Sequence, residues 1–477
     1  MLTDLIFSQL LLVALLWLCF LLHVLRPSER ASAWPRLPKP IPPPRKRSKA
    51  PQPFPGLLHK PLCDACEQAA HPHPKAPGAP PFLLTYTRGR KRTIDMQQQF
   101  CPDQDCTYYG CRGRGNLRSN GHPGGKAWRQ FLCVSCHGYF QQTHGTFFHG
   151  KRVAPERLAW AVGALCEGLG IRAVAPVFEV DPQTVLAWLV EAADQLKTFS
   201  QYFLHDLQVD QVQLDELYAL LSAVKDGELS AAEAVKRLAR SPHWGWVAMD
   251  PVTKLVLTID VGERTRAMAQ SVVHQLVQVL ASDCVPLFLT DGYKDYGTAI
   301  LTHFGYWLQP PRCQGKGPAP KPRWMPLPQL RYAQVVKTVR RRRLVWVRHR
   351  VVFGTLDAVN HVLAPYGWQI NTAFVERLNL DIRQHVAAVG RRVNTLCKQE
   401  AGLRQQLVLY QVYHNFVVPH ASFRHVLAEP EPTNGTGSAK QWRPQTPAMA
   451  AGLTDHVWSL REVLLYRVPP WPQPQAV

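Results

Sequence analysis

Apolar and polar positions repeat with different periods along this chain, and each period predicts a different element. From Pro155 to Lys197 the spacing is helical. Leu158, Ala161 or Val162, Leu165 and Leu169 form one stripe, opened by Pro155 and closed by Gly170. IRAVAPVFEV predicts a short second helix with Pro176 as a misfit inside it. Asp181 is expected to N-cap a third helix, with Pro182 in its first turn and Val185, Leu189, Ala192 and Leu196 facing inward. Gln183, Thr184, Ala187, Trp188 and Glu191 then face outward. Three helices in this order predict a helix-turn-helix, whose last helix would enter a DNA major groove; a purely structural helical module is the alternative.

Strand-like periods follow. In DLQVDQVQLDELYALL, from Asp206, Val212 and Leu214 share a face and Asp215 points the other way. A charged helix, KDGELSAAEAVKRLAR, interrupts. Two apolar runs around Asp250-Pro251 then predict a hairpin, and RAMAQSVVHQLVQVLAS an amphipathic helix. VPLFLTDGYKDY opens with a continuous apolar run, as in a strand buried on both faces, and the run ends at Asp291-Gly292. A carboxylate at the carboxyl end of such a strand is where open α/β sheets build sites. In RYAQVVKTVRRRRLVWVRHRVVFG, Val345, Val347, Val351 and Phe353 share one face, and Trp346, Arg348 and Arg350 the other. Basic side chains interleaved with an aromatic suit a phosphate-lined groove, or form a plain solvated face. INTAFVERLNLDIRQH is a helix with the stripe Phe374, Leu378, Ile382, Val386 and Val389; Glu376 lies off that stripe, with Asn379 and Arg383. A further long helix runs to YHNFVVPH, and the Pro-rich stretch from about 430 is uninformative.

Composition adds partners. Of the 477 residues, Lys+Arg number 55 and Asp+Glu 34, a formal net charge of +21 that favours nucleic acid or an anionic membrane surface. Leu5 to Leu25 contains no Lys, Arg, Asp or Glu, and its 21 residues match the roughly 20 that span a bilayer. The start, MLTD, has no positive charge, which makes a signal peptide less apt, and the basic residues that follow would keep the rest of the chain in the cytoplasm. A buried helix or an untranslated start are the alternatives. Residues 27–81 carry 16 of the 41 Pro, an extended basic linker. Within it, Cys63, Cys66, His71 and His73 form a weak candidate metal motif.

The 12 Cys argue for metal ligation in a reducing compartment rather than for a disulfide framework. Cys101 and Cys106 form one pair and Cys133 and Cys136 a second, with 26 residues between the pairs. Two such knuckles predict a structural zinc site in residues 96–150, with Cys111 as a bystander or a substitute for Cys106. The loop between them carries Arg112, Arg114, Arg118 and Lys126, a candidate phosphate-contacting surface.

Asp215, Asp291 and Glu376 are oxygen ligands of the kind Mg²⁺ takes, and two such ions serve phosphoryl transfer. Each alone is weak. In order, however, QLDEL, LTDGY and INTAFVERLNLDIRQH resemble the catalytic core of bacterial insertion-sequence transposases of the DDE class. The resemblance is nearest to the zinc-ribbon-bearing type related to the insertion sequence one family. It spans roughly residues 98–425 and includes CPDQDC, WRQFLCVSC, the helix-turn-helix and YHNFVVPH. It implies an α/β RNase H-like catalytic domain over 205–427, a mixed sheet with helices on both faces. It also implies that Asp215, Asp291 and Glu376 bind two Mg²⁺ or Mn²⁺ ions. The implied activity is DNA cleavage at the element's ends and strand transfer to target DNA. Arg377 and Asn379 match the motif and would orient Glu376 or contact DNA, as would Arg383. Partners expected on this basis are terminal-repeat and target DNA and further copies of the chain. A DNA-binding protein without catalysis is the alternative; with all three acids present, nothing in the sequence favours it.

Overall fold

The computed structural model describes residues 98–125, 128–219, 243–311, 320–341, 343–390, 395, 397–432 and 437–471. The apolar segment 5–25, the linker, Cys63, Cys66, His71, His73, Lys126 and the charged helix after residue 224 lie outside them. Among the described residues no helix is long and apolar enough to cross a membrane.

The first module is small. Strands β1 (Leu117–Ser119), β2 (Gln130–Cys133) and β3 (Tyr139–Gln141) form one antiparallel sheet. Three helices follow: α1 (Pro155–Cys166), α2 (Ile171–Val177) and α3 (Pro182–Phe203). The Asp181 side chain accepts from the Gln183 N–H and Pro182 sits in the first turn, the start expected from the sequence. The end of α1 differs from the expectation. Gly168, not Gly170, supplies the left-handed residue, at φ 87°. A Cβ on Gly168 would lie 2.3 Å from the Gln384 carbonyl oxygen, so this position also admits a close backbone approach. Pro176 stands in the last turn of α2, one residue before its end at Val177.

The large domain is a six-stranded mixed sheet. Its strands are β4 (Gln211–Ala219), β5 (His243–Met249), β6 (Val256–Gly262), β7 (Leu287–Asp291), β10 (Arg331–Arg340) and β11 (Arg343–Phe353), and a small hairpin, β8 (Gly305–Leu308) and β9 (Arg323–Pro326), stands apart. The order is β11-β10-β7-β4-β5-β6. Strands β10, β7 and β4 run parallel and the other pairs antiparallel. Helices cover both faces. On one, α4 (Arg266–Val279) and α5 (Asp295–His303) pack on Val212, Leu214, Trp246 and Phe288, together with α1 and α3. On the other lie α6 (Leu356–Leu363), α7 (Ala373–His385) and α8 (Glu400–Val412). Val375, Leu378 and Ile382 of α7 meet Leu217 and Val247, and Val359 and Leu363 of α6 meet Leu289 and Val335. Each such fully buried Leu, Val or Phe contributes about 1.5–3 kcal/mol. The mixed sheet with flanking helices is the architecture the sequence led one to expect.

Two local departures matter. Ala333 pairs with Val351 but Tyr332 pairs with Phe353, so Val352 is an extra residue. This bulge moves Phe353 to the Tyr332 face, away from Val351. The stretch beyond 430 is also structured. Strands β12 (His425–Glu431) and β13 (Lys440–Arg443) pair, and α9 (Pro447–Ala450) and α10 (Leu460–Leu465) follow. Trp458, Val463 and Leu464 enter the main core, and Trp458 and Tyr466 ring-pack on Phe199 at 5.5 and 5.4 Å.

Candidate active site

Asp215 lies in β4 on the α7 face of the sheet, the face that Leu217 also takes. Asp291 ends β7, one residue past the Leu214–Thr290 pair of the parallel ladder. The two acids therefore stand side by side. Glu376 approaches from the first turn of α7. That helix is fixed by Gln213, whose Oε1 accepts from the Val375 N–H at 3.1 Å and whose amide donates to the Asn371 carbonyl at 3.0 Å. All three sequence-expected acids thus come to one face and one end of the sheet.

Their roles are not equal. Carboxylate oxygens of Asp215, Glu216 and Asp291 lie within 4.8 Å of one another, an arrangement that suits a metal ion; Glu376 is not in that group. Glu376 accepts from Thr372 Oγ1 at 2.8 Å and pairs with Lys337 of β10. Its charge still reaches Asp215. Burial, then the Asp291 charge, then that of Glu376 push Asp215 up to about 6, against the Glu216 N–H and Lys337.

Glu216 was not singled out from the sequence. It lies on the opposite face of β4, paired across with Trp246, and its side chain is only 2% exposed. Burial and the Asp291 charge raise its pKa to about 7, against Arg264. Arg264, also unforeseen, donates to Glu216 Oε2 from Nε at 3.1 Å and Nη2 at 2.9 Å, and lies 3.6 Å from Asp291. The Tyr293 and Trp244 rings flank its guanidinium at 4.3 and 5.1 Å.

Several expected DNA-contacting residues are placed otherwise. Asn379 is 5% exposed, and its Nδ2 donates to Asp215 Oδ2 at 2.9 Å; it orients Asp215, not Glu376, and faces no solvent. Trp188 is 4% exposed, because α3 is buried on more sides than one stripe foretells. Gln183 is exposed and Thr184 half-buried at the start of that helix. Arg112 is half-buried: it donates to the Tyr466 hydroxyl at 3.0 Å and the Arg467 carbonyl at 2.8 Å, so its charge is turned inward. Arg114 and Arg377 are exposed, and Arg383 is half-buried.

Arg348 is exposed on a projecting two-stranded ribbon, the outer half of the β10–β11 hairpin; Arg350 is exposed too, but lies where β10 still pairs with β7, and its Nη2 donates to Gln334 Oε1 at 2.6 Å. Arg348 pairs with Val336 and Trp346 with Thr338, whereas Lys337 pairs with Val347. Since Lys337 contacts Glu376, the Trp346, Arg348 and Arg350 side chains leave from the sheet face opposite the acids. Trp346 is 64% exposed.

A second charged centre sits in the small module. The sulfurs of Cys101, Cys106, Cys133 and Cys136 lie within 4.8 Å of one another. Cys101 and Cys136 are 3.6 Å apart and Cys106 and Cys133 3.8 Å, against about 3.8 Å for a tetrahedron with metal–sulfur bonds of about 2.3 Å. The Tyr108 N–H donates to Cys106 and the Asn116 amide to Cys133, each at 3.4 Å. Burial pushes the Cys133 thiol up, but the Cys136 and Ser135 N–H groups and Asn116 prevail and hold it down at about 7. The donor set fits a soft divalent cation. Cys111 is buried but outside the group.

No protein-family model and no curated protein matches the chain. Among solved structures, a chain titled "Crystal structure of the Mos1 Strand Transfer Complex" is similar over 52% of this chain and 82% of that one. The identity is 13% and the TM-score 0.14, too low to carry an argument.

Proposed function

We propose that the protein is a DDE-class DNA transposase that binds the ends of an insertion sequence, cleaves there and joins the freed 3′-hydroxyl to target DNA. The observation that carries this reading is the convergence of Asp215, Asp291 and Glu376 on one sheet face, in the motif order of the family the sequence resembles. Asp215 and Asp291, with Glu216 and Glu376 beside them, would hold two Mg²⁺ or Mn²⁺ ions, which when bound supply the Lewis acidity for phosphoryl transfer. The chain's own residues prepare the site. Asn379 fixes one oxygen of Asp215, and the Glu216 N–H fixes the other at 2.9 Å. Arg264 ties Glu216 to Asp291, so the two acids are set together. Lys337 and Thr372 hold the Glu376 carboxylate beside the Asp215–Asp291 pair.

The four thiolates would hold one structural zinc ion. Arg348 on the ribbon, Arg114 on the zinc module and Gln183 at the start of α3 supply exposed contacts for DNA phosphates and bases, with Arg350, held by Gln334, beside them. On this reading the protein acts on DNA in the bacterial cytoplasm, as an oligomer on its element ends. Fractionation with and without residues 1–26 tests whether the apolar start adds a membrane tether. The activity is tested with purified protein, Mg²⁺ and the element's terminal repeats. Asp215→Asn and Glu376→Gln are expected to retain DNA binding and lose end cleavage and strand transfer. Cleavage that persists in both variants would sink the reading.

A further inference from the structure

The C-terminal segment carries into the thiolate module a charge that no carboxylate among the described residues balances. Arg467 is 7% exposed. Its guanidinium lies 3.8 Å from the centre of the Phe100 ring and 4.9 Å from that of Phe140. One of its amines donates to the Phe100 carbonyl, on the peptide joined to Cys101. Its Nε and Nη1 have no hydrogen-bond partner among the described residues, and the ionisable groups that act on it are Arg112 and Cys101. Arg112 runs alongside, donating to the Arg467 carbonyl and the Tyr466 hydroxyl, with its own Nε unpartnered.

Two adjoining guanidiniums, one of them buried, repel each other and have lost part of their hydration. Such a pair persists only where a compensating negative charge is close. Without a metal the four thiols cannot supply that charge together, because thiolates packed within 4.8 Å of one another repel. A divalent cation changes this. Four thiolates around one Zn²⁺ carry a net charge of −2, which matches the two guanidiniums.

We infer that the zinc-loaded tetrathiolate is the counter-ion of the Arg112–Arg467 pair, so that metal loading clamps the C-terminal segment onto the module. The inference rests on the zinc reading above. The clamp reaches beyond the module. Gln195 of α3 donates to the Leu464 and Tyr466 carbonyls at 2.9 and 3.1 Å, and Trp458 packs with Phe199 and Phe203 at 5.5 and 5.8 Å. Zinc occupancy is thereby linked to how firmly the helical module is strapped to the rest of the chain.

The test uses the full chain. Metal content is measured first, then zinc affinity by competition with a chromophoric chelator, then hydrogen exchange before and after zinc removal. Chelation is expected to speed exchange in residues 458–467 about tenfold or more while β7 stays protected. Arg467→Met is expected to weaken zinc binding about tenfold, as loss of a charge beside a metal site does. Arg467→Lys, which keeps the charge, is expected to restore most of that affinity. Wild-type zinc affinity in Arg467→Met, or unchanged exchange on chelation, overturns the clamp and leaves the zinc site standing. A chain that binds no zinc overturns both, and does so at the first measurement. Where Arg467→Met fails to fold, the chelation arm on the unaltered chain decides.

Discussion

The acidic centre and the thiolate centre are built in opposite ways. The thiolates come from one short stretch, Cys101 to Cys136, and turns bring them together. The acids come from positions 215, 216, 291 and 376, and only the completed sheet and α7 unite them. Their charges are opposed too. Around the acids, Asp215, Glu216, Asp291 and Glu376 face Arg264 and Lys337, a surplus of negative charge. Around the thiols, Arg112 and Arg467 stand with no carboxylate partner among the described residues. On the proposed reading, cations alone would complete the first centre, and one cation would make the thiols of the second an anionic cluster. Local turns suffice to gather the four thiols, whereas the acids are gathered only by a strand end and a helix far apart in the chain.

The largest effects should separate the centres. Asp215→Asn is expected to lower end cleavage on the order of 1000-fold, as loss of a charge acting on the transition state does, with zinc content unchanged. Cys133→Ser is expected to lose zinc and the exchange protection of β1 to β3, while metal binding at the acids persists. Release of zinc by Asp215→Asn, or loss of Mg²⁺ binding in Cys133→Ser, breaks the separation. Metal analysis, exchange and a cleavage assay read all three.

What the sequence made legible follows the same divide. Cys101, Cys106, Cys133 and Cys136 were readable because ligand spacing is a local property. The start of α3 was readable because Asp181 and Pro182 act on the adjoining turn. Asp291 was readable from an apolar run that stops at a carboxylate. Glu216 was not, although it adjoins Asp215, because alternation sends it to the other face. Only the position of Asp291 at a strand end lets both acids approach it. Arg264 carried no signal, since nothing local ties a residue after β6 to β4 and β7. Trp188 and Asn379 were misplaced for one reason: a single stripe cannot tell that a second element covers the polar side of a helix. The C-terminal segment was hidden by its Pro content, which describes its backbone and not the burial of Trp458 and Leu464.

An intermediate effect sharpens the charge contrast. Asp215 is raised from 3.8 to about 6 and Glu216 from 4.5 to about 7 in the folded chain. Raised acids favour the fold most below their unfolded values, and that contribution is lost as pH rises through the folded ones. The melting temperature of the Mg²⁺-free protein is therefore expected to fall between about pH 5 and pH 8 on account of these groups. Saturating Mg²⁺ should flatten the fall, because it binds the ionised cluster of the folded state. Glu216→Gln should reduce the slope and raise the melting temperature at the alkaline end alone. A melting temperature that rises over this interval in the absence of metal, or a Glu216→Gln effect that is the same at both ends, contradicts the assignment.

The smallest effect tests the arginines, which the two regions use differently. Arg348 projects from the ribbon into solvent, whereas Arg112 is held against Tyr466 and Arg467. A solvent-facing arginine that meets a phosphate releases counter-ions, and an arginine turned into the protein does not. Alanine at Arg348 is therefore expected to weaken DNA binding several-fold and to reduce the slope of log affinity against log salt by about one. Arg112→Ala should leave that slope unchanged and instead loosen residues 458–467 in hydrogen exchange. The slope distinguishes the two uses because it counts phosphate contacts and ignores stability. A lower slope in Arg112→Ala would mean that its guanidinium leaves the Tyr466 contact to meet DNA, and the zinc module would then rank with the ribbon as a DNA-binding surface.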